Sequence, residues 1–161
     1  MARNVENMDT IDINLLNLLQ QNADQTVKEL ASQVHLSVTP CWKRIQKLTT
    51  DGVIRARVAL LDAKKVHANV TVFVAIRTNQ HNAQWIEHFG LEVQGMPEVL
   101  EAYRMSGEVD YLLRVAVSSI EAYDRFYKRL SSRLELADVT SSFAMQQIKC
   151  TTALPIHVEA D

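Results

Sequence analysis

With 161 residues, 47% of them hydrophobic and 22% charged, the chain has the composition of a folded protein of one domain or two small ones, which excludes a largely disordered chain. Its net charge of −2 hides an asymmetry: residues 1–65 carry nine Lys/Arg against seven Asp/Glu, whereas residues 66–161 carry eight against twelve. No run of about 18 apolar residues exists, and residues 1–22 lack the basic patch and unbroken apolar core of a signal peptide, so a cytoplasmic protein with no membrane partner is expected.

The first eight residues or so and the last five are expected to be loose ends. Between them the chain opens on helices. Ile11, Leu15, Leu18 and Leu19 recur at the spacing of one helical face, with Asp9 or Thr10 available to cap it. Thr26 and Glu29 have the spacing of a capping box and open a second helix with an apolar face of Val27, Leu30, Ala31 and Val34. Residues 35–38 form a short connection. Thr39 then offers a cap and Pro40 the favoured first position of a third helix, which buries Cys41, Ile45 and Leu48 and ends at Asp51-Gly52.

Beyond Gly52 the pattern changes. Residues 53–61 read as a short strand or connector, and 62–69 as a linker. Residues 70–77 form a strand rich in β-branched side chains. Trp85, Ile86, Phe89 and Val93 define a helix between Asn82 and Gln94, stopped by Gly95-Met96-Pro97. Two strands, 98–105 and 111–117, flank the loop 106–110. Ser118 and Glu121 are spaced as a second capping box, and the helix they open buries Ile120, Tyr123, Phe126 or Tyr127, Leu130 and Leu134. A last strand spans 139–149. The fold class is therefore α+β: a helix-turn-helix domain over 1–61, winged-helix-like in kind, and after the linker a ferredoxin-like βαββαβ domain over 70–161. Val70, Val72, Val74 and Ile76 occupy one face of the first strand, yet Phe73 and Ala75 make the other face apolar too. The two helices can cover only one face, so a second copy of the chain is expected on the other.

Residues 26–57 hold Lys28, Lys43, Arg44, Lys47, Arg55 and Arg57 against Glu29 and Asp51, a local surplus of four positive charges. Such a patch at one end of an acidic chain points to a polyanion. Lys43, Arg44 and Lys47 are expected opposite the buried face of the third helix. Ser37, Thr39 and the free N–H groups of that helix start suit phosphate oxygens. Two helices joined by a tight turn, the second one basic, suit the major groove of double-stranded DNA. The same residues could instead form the solvated face of a helical bundle. Trp42 stands beside this face, and packing on the bundle is favoured for it over a place against a sugar–phosphate strand.

The segment 9–61 resembles the helix-turn-helix of the Lrp/AsnC (feast/famine) family of regulators. The resemblance rests on Ile11-Asp12, Leu15-Leu16, Glu29-Leu30-Ala31, Leu36-Ser37-Val38-Thr39-Pro40-Cys41, Arg44, Leu48 and Asp51-Gly52-Val53-Ile54. Gly107, Asp110, Tyr111 and Leu112 are similar to the glycine-to-aspartate loop of that family's regulatory domain. Cys41-Trp42-Lys43-Arg44, residues 123–130, 140–145 and 151–156 are closer still to a subgroup associated with cysteine detoxification. The resemblance implies dimers that assemble further, often to octamers, and promoter binding modulated by a small amino acid, with cysteine raised as the effector. It also implies a site between subunits. Met105, Ser106, Gly107, Glu108 and Asp110 would supply the loop, with Asp110 as partner of the ammonium group. Thr140, Ser141 and Ser142 would receive the carboxylate.

Cys41 and Cys150 make neither a metal-ligand spacing nor a disulfide framework and are expected to be reduced thiols. His35, His67, His81, His88 and His157 form no close metal motif. Trp85 and Phe89 are expected in a core. No catalytic motif, phosphate loop or cofactor motif is present, so no enzyme activity and no cofactor are expected. The alternatives to a ligand-responsive regulator are an architectural DNA-binding protein and an amino-acid-binding module without a regulatory role.

Overall fold

The computed structural model describes residues 8–156. The ends expected to be loose, but for Met8, and His157 lie outside the described residues. The chain divides into two compact units, one running to Ala59 and resuming at Lys149, the other spanning Leu60–Ile148. The expected division placed everything from residue 70 onward in the second domain. In the structure the tail is grouped with the helical unit, where Gln20 Nε2 donates to the Leu154 carbonyl and the Leu154 N–H donates to Gln20 Oε1.

The first unit holds α1 (Thr10–Gln21), α2 (Val27–Gln33) and α3 (Val38–Thr50). Asp9 caps α1 by accepting the Asp12 N–H at 2.9 Å. Both halves of the Thr26–Glu29 capping box are present on α2. The α2–α3 connection is closed by His35 at φ 55°, with His35 N–H donating to the Ser32 carbonyl and Leu36 N–H to that of Ala31. That is the Schellman pairing, here with histidine in the left-handed position that glycine ordinarily takes. α3 starts at Val38, not after Thr39: Ser37 is its N-cap and makes no side-chain cap bond. Pro40 therefore sits at the third helical position, tolerated because first-turn N–H groups need no helical acceptor. Gly52, at φ 77°, closes α3 as expected. Leu15, Leu30, Ala31, Val34, Cys41 and Ile45 form the core of this unit, with Ile11, Leu18, Leu19, Val27, Leu36 and Ile54 packed around it. Residues 53–61 form no strand.

The second unit is a four-stranded antiparallel sheet in the order β2-β3-β1-β4, made of β1 (Val70–Arg77), β2 (Val99–Arg104), β3 (Tyr111–Val117) and β4 (Asp138–Phe143). Two helices, α4 (Ala83–Gln94) and α5 (Ile120–Arg133), complete it. With β1-α4-β2-β3-α5-β4 as the chain order, this is the ferredoxin-like arrangement. Val72, Val74 and Ile76 stand opposite Val115, Leu113 and Tyr111, and all six are buried. They meet Trp85, Phe89 and Val93 of α4 and Tyr123, Phe126 and Leu130 of α5 in one core. Trp85 stacks on Phe89 at 5.2 Å, and Phe89 lies 4.2 Å from the Tyr111 ring. Full burial of each such side chain is worth about 1.5–3 kcal/mol.

Two expectations for α5 are corrected. Its cap is Ser119, which accepts the Ala122 N–H, rather than Ser118. Ile120, expected in the core, is 66% exposed, because at 100° per residue it lies about 60° beyond Tyr123, outside the arc of Tyr123, Phe126 and Leu130. Phe126 rather than Tyr127 is the fully buried ring. β4 is shorter than expected and ends at Phe143.

Candidate DNA interface and effector loop

α3 separates its residues cleanly. Cys41, Ile45 and Leu48 are buried, and Thr39, Lys43, Gln46, Lys47 and Thr50 are exposed on the other side. At 100° per residue these five span a single stripe. Ser37 is exposed at the helix start. Trp42 is 48% exposed, so it packs on the bundle only in part. Gln46 carries no charge, and only its spacing of three from Lys43 marks it in the sequence. Side-chain amides at such positions can pair with adenine edges.

Arg44, expected on the same face as Lys43 and Lys47, stands half-buried at the edge of their stripe and lines one open pocket with them, Asp9 and Asp12. Its Nη1 lies 2.7 Å from Asp9 Oδ2 and 2.8 Å from Asp12 Oδ1, both on the first turn of α1 or its cap. Hydrogen bonds to Asp12 and then Asp9 raise its already high pKa. Burial pushes the Asp9 carboxyl up, but the Asp12 N–H and the Arg44 guanidinium more than offset that and hold it below its ordinary value. Burial also pushes the Cys41 thiol up, as befits a core residue rather than a reactive one.

In the second unit, the loop between β2 and β3 is exposed from Met105 to Glu108, and Gly107 adopts φ 122°, a region open chiefly to glycine. Asp110 is half-buried. Its Oδ2 accepts the Thr78 N–H at 2.8 Å, its own N–H donates to the Ile76 carbonyl, and its carbonyl accepts the Met105 N–H. The carboxylate thus pins this loop to the β1–α4 corner, where Thr78 is buried. On β4, Thr140 and Ser142 stand opposite Ala75 and Phe73, on the sheet face away from the helices. Ser141 stands opposite Val74, on the helix face, and is hydrogen-bonded to the Tyr123 hydroxyl. The three hydroxyls expected together are therefore split between two faces. β4 lies on the far side of β1 from β3, so Thr140 and Ser142 are separated from Asp110 within one chain. The open face also carries Phe73, Leu112 and Tyr103, with Glu101 and Arg114 paired across β2 and β3. Among the described residues no His/Cys/Asp/Glu group is arranged to hold a metal, and no helix is long and apolar enough to cross a membrane.

A helix-turn-helix whose second helix turns cations outward, followed by a ferredoxin-like domain with a pinned, glycine-containing loop, defines a DNA-binding regulator with a ligand-sensing domain. Residues 8–55 match a winged helix-turn-helix DNA-binding model, and residues 71–154 match the Lrp/AsnC ligand binding domain. The chain is 51% identical over 151 residues to the DNA-binding transcriptional activator DecR of Escherichia coli (strain K12), spanning 93% of this chain and 99% of that one. It is 45% identical over 157 residues to the glutamate uptake regulatory protein of Zymomonas mobilis, spanning 98% and 96%. A crystal structure of an AsnC family transcriptional regulator from Agrobacterium tumefaciens matches with TM-score 0.90 and 57% identity over 92% of this chain and 97% of that one. A transcriptional regulator from Neisseria meningitidis, solved as a complex with L-Met, matches with TM-score 0.87 and 34% identity over 92% and 96%. The chain belongs to the Lrp/AsnC family and is a DNA-binding transcriptional regulator with a ligand-binding domain.

Proposed function

We propose that this regulator binds double-stranded promoter DNA in the cytoplasm through α3, and that a small amino acid bound between subunits modulates that binding or the assembly behind it. Ser37, Thr39, Lys43 and Lys47 make the DNA contacts, with Gln46 among them on the same stripe. The observation that carries the reading is that stripe: one face of α3 is committed to the core while the opposite face offers two cations, two hydroxyls and an amide to solvent. The working form is a homodimer that assembles further, to an octamer, with the open sheet face between subunits.

Met105, Ser106, Gly107, Glu108 and Asp110 form one wall of the effector site, and Thr140 and Ser142 of a neighbouring subunit the other. Asp110 has one carboxylate oxygen on Thr78 and the second without a partner among the described residues, which suits an ammonium group. Cysteine is the first effector to test on the subgroup resemblance, methionine follows from the L-Met complex of one relative, and glutamate from the name of another.

The test uses Asp110→Asn rather than alanine, because asparagine keeps an oxygen for the buried Thr78 N–H and removes only the charge. Duplexes selected by the wild-type protein from a random library are titrated with and without each amino acid. We expect an effector that shifts wild-type affinity by ~1–3 kcal/mol, and loss of that shift in Asp110→Asn with effector-free affinity retained. An undiminished response in the variant defeats this placement of the ammonium site.

A further inference from the structure

The most basic side chain of the recognition helix stands at the edge of its outward stripe, in a pocket lined also by Lys43, Lys47, Asp9 and Asp12. Arg44 is tied by two ion pairs to α1, an element 32 to 35 residues away in sequence. Asp12 is nearly buried, its side chain 11% exposed, and Arg44 is 32% exposed, so the pair is shielded from water and salt more than a surface bridge. Asp9 meanwhile uses its other oxygen to cap α1. One guanidinium is thereby joined to the cap and to the first turn of α1, while Lys43 and Lys47 on either side of it in sequence remain outward.

We propose that Arg44 is a positioning residue for DNA recognition rather than a phosphate ligand: with Asp9 and Asp12 it clamps α3 to α1 and so sets the rotation at which Thr39, Lys43, Gln46 and Lys47 meet the bases. A helix held only by the apolar contacts of Cys41, Ile45 and Leu48 can roll, because those contacts are non-directional. A guanidinium nitrogen that bridges two carboxylates, one of them also capping α1, is directional. Phosphate contacts tolerate a small roll, since they are long-range and carry no sequence information. Base-edge contacts do not tolerate it. The clamp therefore acts on sequence discrimination more than on overall affinity. The inference rests on α3 being the helix that meets DNA.

The experiment measures full-length protein against a duplex selected by the wild type from a random library and against a scrambled duplex of the same composition, over a series of salt concentrations. Lys43→Ala serves as the reference for a direct contact. We expect Arg44→Gln to keep the wild-type salt slope and to lose about tenfold in discrimination between the two duplexes, the share of one well-placed base contact. Asp9→Asn retains a good helix cap yet weakens the clamp. It should lower discrimination too, although removing a negative charge would by electrostatics alone tighten DNA binding. Combining the two should cost no more than the larger single effect, as for groups acting through one interaction. Arg44→Lys, whose ammonium sits one bond closer to the backbone and lacks the planar head, should fall between, and it carries the test together with Asp9→Asn if Arg44→Gln does not fold.

Flattening of the salt slope by about 0.9 in Arg44→Gln would make Arg44 a phosphate ligand and overturn the proposal. So would lower melting temperatures with wild-type discrimination in every clamp variant, which is what a purely structural bridge gives. Unchanged affinity and salt slope in Lys43→Ala would remove α3 from the interface and overturn both the clamp and the reading beneath it.

Discussion

Asp9 divides its carboxylate between two elements, and its titration follows from that. Burial works against its charge, but the Asp12 N–H and Arg44 outweigh burial and leave its pKa below the ordinary 3.8. A group whose pKa is depressed on folding stabilises the protein above its unfolded value and loses that contribution as pH falls through the folded value. Glu98 is also lowered, because Arg129 offsets its burial, and Glu101 is lowered chiefly by its bond from Arg114. Melting temperature should accordingly be level above about pH 5 and fall as pH drops below about 4. Asp9→Asn should make that acid slope shallower, measured by circular dichroism melts across the range. An acid slope identical to the wild type would mean that the Asp9 carboxylate contributes nothing through its charge.

At the scale of elements, the helices hold together by their ends as much as by their faces. α2 has only seven residues, too few to be stable in isolation, so its capping box and the Schellman closure at His35 hold the turn that orients α3. Replacing Thr26 with Ala should cost about 1 kcal/mol, the usual value of an N-cap hydroxyl, read as a lower urea midpoint at unchanged slope. Replacing the neighbouring Gln25 with Ala should leave the midpoint within about 0.5 kcal/mol of wild type; equal losses in both would deny the cap its role. Cap positions also show how far local sequence reaches. The Thr26–Glu29 box was legible because Glu29 completes it, whereas Asp24, two residues before Thr26, has Val27 at that spacing. Ser37 and Thr39 lie two apart, and Ser118 and Ser119 are adjacent, so spacing alone does not choose between them. Backbone direction imposed by the neighbouring turn decides, and it moved both starts by one or two residues.

For the whole molecule, the open face of the sheet is the feature with most at stake. Phe73, Ala75, Leu112 and Tyr103 lie there in register, with Phe73 40% exposed and Tyr103 52% exposed. A charge placed among them opposes any apolar contact with a second copy. Phe73→Glu in the full-length protein should sediment as a smaller species than wild type at micromolar concentration and keep the wild-type far-ultraviolet spectrum. Sedimentation of wild type and variant as the same species would show that this face is not the one that assembles.

Much of this protein is written in local periodicity. The 3.6-residue recurrence of Cys41, Ile45 and Leu48, the alternation of Val72, Val74 and Ile76, and the order of helices and strands determined the two-domain α+β architecture, and the placement of Lys43 and Lys47 followed from the first of these. Those features depend on neighbours a few residues away, which a chain carries in plain order. What depended on distant partners came only with the tertiary structure. Arg44 reads as one more cation on a basic helix until α1 brings Asp9 and Asp12 against it. Ser141 reads as one of three adjacent hydroxyls until pairing of β4 with β1 turns it to the helix face beside Tyr123. Asp110 reads as a loop acid free for an ammonium group until the β1–α4 corner presents the Thr78 N–H. In each case the side chain's chemistry was evident from the sequence, and its partner, supplied by chain 18 to 35 residues away, decided its role.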